Sequence, residues 1–166
     1  MLRAFKARAP AGVDFRIYEE HKQLPLFNPD LDADAPPSVR RLRQAAGQAQ
    51  AIVIVSPEYA HGVSGTIKNT LDWLVSHPDF ANKPVAVINP SYGSFHADAA
   101  LKETLRTMAA VLIPRACLRI PVIGSALPQY AIGDSAEFAL MIDDALRATI
   151  AHLQPDPCAR EAPPPT

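Results

Sequence analysis

Two short stretches combine residue types that suit ligand chemistry. The first is Ser56-Pro57-Glu58-Tyr59-Ala60-His61-Gly62, directly after the apolar run Ala51–Val55. The second runs Asn89-Pro90-Ser91-Tyr92-Gly93-Ser94-Phe95-His96 and follows Val85–Ile88. A strand that breaks into a polar turn and then a helix leaves backbone N–H groups unpaired, and those groups bind anionic or acceptor-rich ligands. Glu58 at such a strand end can act as a general base, cap backbone N–H groups or pair with a cation. Tyr59 can lie against a ligand or fill the turn. His61 and His96 stand at the ends of two strands, so they can meet across a crevice as a proton source or a metal pair. A histidine pair without a closely spaced carboxylate is weak evidence for a metal, and solvent-exposed histidines are the plainer reading. Lys68 and Asp72 lie one helical turn apart, an arrangement worth a few tenths of a kcal/mol.

These residues need strands to carry them and helices to hold the strands. Ala51–Val55 and Val85–Ile88 do not alternate, which is the pattern of strands covered on both faces and hence of central parallel strands. Between them Ile67, Leu71, Leu74 and Val75 form an apolar stripe on a helix over 65–76, ended by His77-Pro78. The other stripe, Thr66, Asn69, Thr70, Trp73 and His77, places Trp73 either at a subunit contact or at the edge of the core. Leu2 and Phe5 predict a helix over 2–9, stopped by Pro10-Ala11-Gly12. Val13, Phe15 and Ile17 alternate with polar residues and predict an edge strand. A helix over 38–49 buries Val39, Leu42, Ala46 and Ala49, and one over 97–113 buries Leu101, Leu105, Met108 and Leu112. Residues 117–122 contain a proline and read as the other sheet edge. Asp134 with Glu137 resembles a capping box opening a last helix, with Phe138, Ile142, Ala145, Thr149 and Leu153 inward. Strands alternating with helices define an α/β fold with a parallel sheet. The expected organisation is a single domain over 1–154 and a flexible Pro-rich tail over 155–166.

The totals exclude several classes. A formal charge of -1 on 166 residues gives no support for a nucleic-acid surface, and Arg40, Arg41 and Arg43 read as the solvated face of a helix. No apolar run approaches the roughly 18 residues of a membrane span, so no membrane partner is expected. Cys117 and Cys158 have no ligand spacing and are expected as free thiols in a reducing cytoplasm.

Ser56-Pro57-Glu58-Tyr59, Gly65, Lys68-Asn69 and Asp72-Trp73 together resemble the signature of the NADPH-dependent FMN reductase family, flavodoxin-like enzymes that include quinone, azo-dye and chromate reductases. Leu24-Pro25-Leu26-Phe27-Asn28 and Leu101–Arg106 also resemble family segments. The pattern departs from the family at Ala60, where Asn is commoner, at Ser64, where Pro is commoner, and in the single glycine of Ser91–Ser94. The resemblance implies a flavodoxin-like three-layer parallel sheet and an FMN-dependent NAD(P)H oxidoreductase that passes electrons to quinones or similar small acceptors in a ping-pong cycle. It implies ring contacts from Pro57, Glu58, Tyr59, His61, Gly62, Ser91, Tyr92 and Gly93, with FMN and NADPH as cofactors and no metal. A homodimer or homotetramer through the helix Lys68–Trp73 is expected by the same resemblance. The competing expectation is a degenerate flavodoxin-like scaffold that binds flavin weakly or not at all and serves as a binding module.

Family members begin with a strand and a small polar loop that wraps the FMN phosphate, whereas this chain begins inside the helix that should follow them. About 20 residues, one strand with its loop and half a helix, are therefore expected to be missing. Without that strand, successive right-handed crossovers are expected to put every helix on one face, leaving the other face of the central strands in water.

Overall fold

The computed structural model describes residues 1–125, 127, 128 and 131–154; the expected tail over 155–166, with Cys158, lies outside these residues. Two strands form the centre of the sheet. β1 (Ile52–Val55) and β4 (Pro84–Asn89) run parallel in the register Ile52↔Val85 to Val55↔Ile88. The other edge of β4 takes two short parallel strands in succession, β5 (Val111–Leu112) near its start and β6 (Leu118–Arg119) near its end. A separate hairpin, β2 (Glu58–Tyr59) with β3 (Gly62–Val63), rises from the carboxyl end of β1.

Both faces of the sheet are covered. On one face Ile54, Val85 and Val87 pack under α2 (Pro37–Gln48), α3 (Gly65–Asp72) and α4 (Phe95–Thr107), through Val39, Leu42, Leu71, Leu101 and Leu105. On the other, Ile88, Ile120, Val53 and Val55 meet α1 (Leu2–Arg8) and α5 (Ala136–Leu153) through Phe5, Phe138, Ile142 and Leu146. This corrects the expectation of a bare face. α5 folds back from the β6 side, α1 packs against it, and the pair shields the strands that the crossovers alone leave open.

Four expectations fail for identifiable reasons. Residues 13–17 form no strand: β1 pairs with β4 alone among the described residues, so the alternating segment has no ladder partner. Its Phe15 instead stacks on Phe5, with ring centroids 6.1 Å apart. The helix expected over 97–113 stops at Thr107 because Ala109 takes a left-handed φ of 58°, and Ala110 N–H closes back on the Leu105 carbonyl in a Schellman-type end. The residues beyond that break become β5. α3 likewise ends at Asp72, which leaves Val75 exposed rather than on the buried stripe. At the last helix Ser135 occupies the N-cap and no side chain caps it, so the Asp134–Glu137 box does not form.

Arg43 is also misread as solvated. It reaches the Asp32 carboxylate, the Trp73 carbonyl and Ser76, tying α2 to the end of α3. Arg41 and Arg40 do pair at the surface, with Glu20 and Asp34. Cys117 is a free thiol whose sulfur accepts the Val87 N–H.

Arg8 holds α1 on α5 by a two-pronged bond to Asp143, at 2.7 and 2.5 Å, and that guanidinium lowers the Asp143 pKa. A depressed carboxyl adds stability that is full above its unfolded pKa and is lost as pH falls through its folded value. The stability difference between the wild type and Asp143→Asn is therefore expected to be constant near neutrality and to shrink as pH falls below about 4, read from urea midpoints. Phe5 is fully buried between α1, α5 and the sheet, and Phe5→Ala is expected to destabilise the fold by about 3–5 kcal/mol in the same assay. A cost under about 1 kcal/mol would show that α1 is not part of the core.

Candidate functional site

The carboxyl ends of β1 and β4 lie side by side, so the loops that follow them share one end of the sheet. After β1, Ser56 N–H still bonds to the Ile88 carbonyl at 3.4 Å, and Pro57 then ends the ladder because it has no N–H to give. The hairpin that follows turns at Ala60 and His61, both at positive φ (49° and 59°). Ser64 caps α3, its Oγ accepting the Ile67 N–H at 3.4 Å, so this departure from the family pattern keeps a helix start of its own.

After β4 the loop is pinned by Asn89, which is 2 % exposed. Its amide nitrogen donates to the Ser94 carbonyl at 2.6 Å and its amide oxygen accepts the Ser91 N–H at 3.0 Å. Gly93 N–H donates to Ser91 Oγ at 3.3 Å. The N–H groups of Tyr92 and Ser94 bond to nothing among the described residues. Gly93 adds space: a β-carbon there would meet no atom within 4 Å.

Glu58 joins the two loops. One carboxylate oxygen accepts the Ala97 N–H at 2.8 Å, in the first turn of α4, and the other lies 3.0 Å from His61 Nδ1. Its pKa is lowered, first by the Ala97 N–H and then by His61 and His96. Glu58 therefore caps backbone and bonds to the His61 ring, the second and third of the roles read for it. His61 and His96 do meet, edge to face, with centroids 4.5 Å apart and planes at 75°. Among the described residues no group of three His, Cys, Asp or Glu is placed to hold a metal.

Tyr59 and Tyr92 are both exposed, one on each loop. Phe95, also exposed, carries the Arg119 guanidinium 4.0 Å over its ring. The expected contacts Pro57, Glu58, Tyr59, His61, Gly62, Ser91, Tyr92 and Gly93 thus lie on two adjacent loops tied by Glu58. The donor set suits a planar ring rich in carbonyl and nitrogen acceptors: free N–H groups at Tyr92 and Ser94, open space at Gly93 and exposed aromatic side chains. It does not extend to a phosphate cradle, since residues 56–64 and 90–94 contain no Lys or Arg. Two surface grooves, lined by residues such as Ile113, Leu118 and Ala148 or Ala7, Asp143 and Ile150, run along α5 and include no residue of these loops.

Sequence reasoning missed Asn89 and Arg119. Asn89 is legible in hindsight from its place between a buried strand and a proline, where an Asn turn is common. Arg119 has no such signal, because only the pairing of β6 with β4 brings it to Phe95. Of the two places expected for Trp73 the structure takes the core: it is fully buried, with its indole N–H on the Pro25 carbonyl at 2.9 Å and its ring edge-on to Phe27. Asn69 holds the same loop from both sides, donating to Pro25 and accepting from Phe27 N–H. Trp73 is therefore no subunit contact, and Lys68 pairs with Asp72 within its own helix.

The chain is 33 % identical over 127 residues to a quinone reductase of Pseudomonas putida, a match that takes in 72 % of the chain and 64 % of that protein. It is 36 % identical over 89 residues to a quinone reductase of Escherichia coli, covering 51 % of the chain and 47 % of the relative. The chain thus spans about half to two thirds of the length of these relatives. In three dimensions it superposes on FerB, a flavoenzyme NAD(P)H:(acceptor) oxidoreductase from Paracoccus denitrificans, with a TM-score of 0.74 and 26 % identity, covering 92 % of this chain and 87 % of that one. The fold is accordingly flavodoxin-like, with helices on both faces of a parallel sheet. A profile of the NADPH-dependent FMN reductases matches residues 1–122, and the chain belongs to that family.

Proposed function

We propose that the chain acts as an FMN-dependent NAD(P)H oxidoreductase that passes electrons to quinones or similar small acceptors, alternating NADPH and acceptor over one ring face. The observation that carries this reading is the pair of loops joined by Glu58, with unpartnered N–H groups at Tyr92 and Ser94. FMN, when bound, supplies hydride acceptance and release; the protein's part is position and electrostatics. Pro57 to Tyr59, with His61 and Gly62, line one edge of the ring site, and Ser91, Tyr92 and Gly93 line the other. N–H groups fixed in advance stabilise negative charge that develops on ring acceptors, because they need no reorganisation during the reaction. Asn89, fully bonded inside the loop, keeps those donors in place.

The absence of Lys and Arg from both loops favours a second reading in which flavin binds weakly and the chain is a non-catalytic binding module. Under the first reading a homodimer or homotetramer forms over the outer side of α3, where Lys68, Asp72 and the exposed Leu26 remain available.

Flavin fluorescence titration distinguishes the two readings, followed by NADPH oxidation with a quinone. Saturable quenching with NADPH-dependent quinone turnover is expected; quenching too weak to saturate, with no turnover, overturns the reductase reading. Because the two loops offer the ring most of its contacts, FMN and riboflavin are expected to bind within about tenfold of one another, a difference of about 1.4 kcal/mol. Gly93→Leu fills open space, so it is expected to leave thermal stability nearly unchanged while weakening flavin by about tenfold or more. Unchanged flavin affinity in that variant would remove the Ser91–Gly93 loop from the site.

A further inference from the structure

Three observations converge on the hairpin between β2 and β3. Its central residues, Ala60 and His61, both occupy the left-handed region, a geometry that Asn-Gly satisfies and that side chains with a β-carbon meet only with steric cost. The strained turn carries the His61 ring onto the His96 ring, 4.5 Å between centroids, although the two residues come from different loops. Glu58 fixes the tautomer: an ionised carboxylate only accepts, so Nδ1 of His61 carries the proton and Nε2 is the exchangeable nitrogen. The His61 side chain is 77 % exposed and that of Glu58 only 10 %, so the pair is anchored on its inner side and open to solvent on its outer side. Local strain that brings titratable groups together at a ligand crevice marks a functional device rather than a packing accident.

We propose that His61 and His96 form a shared proton reservoir for the acceptor half of the reaction, with Glu58 as the positioning residue. This rests on the reductase reading and goes beyond it by giving the site a proton donor. Reduction of a quinone to a hydroquinone takes up a hydride equivalent and one proton. Bound FMN, once reduced, would supply the hydride equivalent, one electron pair with its hydrogen, and the acceptor would be left as a hydroquinone monoanion. An imidazolium N–H bond of the pair then breaks, an O–H bond forms on the phenolate oxygen, and the neutral imidazole regains its proton from water at the exposed ring. No electrons pass through the protein.

Glu58 faces the pair: it bonds to His61, and the nearby His96 helps to lower its pKa. Asp98, in the first turn of α4 two residues after His96, is paired with Lys102 at 2.7 Å, and the exposed Tyr59 stands on the same hairpin as His61. Arg119 stands over Phe95, the residue before His96. With Glu58 and Asp98 both bonded, the role of proton donor falls to the two imidazoles.

The test compares two acceptors on the FMN-loaded chain: 1,4-benzoquinone, which takes up a proton, and ferricyanide, which takes electrons alone. His61→Asn suits the turn, because Asn tolerates the left-handed region, and His96→Gln keeps the helix start. Each variant is expected to lose quinone turnover by about 10²-fold more than ferricyanide turnover, with added imidazole restoring part of it. Quinone turnover of the wild type is expected to fall as pH rises, and that of the double variant to lose this dependence. A readout without cofactor comes from ¹H–¹⁵N spectra of the imidazoles. His61 is expected as the Nδ1–H tautomer, released in Glu58→Gln. Equal losses on both acceptors, or a His61 tautomer that Glu58→Gln leaves unchanged, would overturn the proton reservoir while leaving the reductase reading intact. Failure of the wild type on both acceptors would overturn the two together.

Discussion

A parallel sheet brings strand ends together but leaves the loops beyond them free to diverge, so a site made from two loops needs a bond between them. In this chain that bond is the Glu58 carboxylate. It leaves the end of β1, accepts an N–H at the start of α4 and holds His61 on its second oxygen. An acid at a helix N-terminus is favourable in its own right, since the helix dipole and unpaired N–H groups both attract negative charge. The same contact therefore caps α4, which has no side-chain cap of its own, and sets the spacing of the crevice. The buried amide of Asn89 does for the second loop internally what Glu58 does between the two. With both in place the two loops are fixed relative to one another and the N–H groups of Tyr92 and Ser94 are left without a partner among the described residues.

The outer face of α3 shows the same economy of residues in a different setting. Asn69 and Trp73 belong to the stretch that carries the family resemblance, yet neither faces the crevice. Both bond to the loop around Pro25, and Arg43 reaches the Trp73 carbonyl from α2. A buried indole or amide without a partner is costly, so a shared carbonyl acceptor makes these residue types a requirement of packing. The signature thus divides into a half on the loop at the carboxyl end of β1, Ser56 to Tyr59, and a half that fastens a neighbouring loop to the helix behind it.

How far the fold was legible follows from which physical signal each residue carries. Unbroken apolar runs at β1 and β4 can only be strands covered twice, and both were readable, as was the position of the two loops after them. Periodicity failed where a helix stopped without a marker. Ala109 in the left-handed region ends α4 in place of the usual glycine, and since alanine is also the best helix former, the apolar run beyond it looked like more helix. Trp73 was left open between core and subunit contact for a related reason: α3 ends one residue earlier, so a wheel drawn through it puts the indole on the outward stripe. Residues 13–17 had the right alternation, but alternation reports a half-buried extended chain and not the presence of a neighbour to pair with. In the site, the eight expected ring contacts came from local turn chemistry and resemblance, whereas the Glu58–Ala97 bond spans two elements and no local signal encodes it.

The hairpin at Ala60 and His61 is where the local preferences of the sequence and the fold disagree most. Two successive residues with β-carbons in the left-handed region are disfavoured, and an Asn or Gly at either position removes the conflict. The sheet does not require the turn, because the hairpin pairs only with itself. What requires it is the set of contacts at its tip, with the His61 ring against His96 and its Nδ1 on Glu58. Strain outside the sheet ladder, at the tip of a loop beyond a strand end, is offset by the contacts made there, and those are the edge-to-face imidazole pair and the Glu58 bond. The proposed proton donor is therefore this pair rather than the aromatic residues around it.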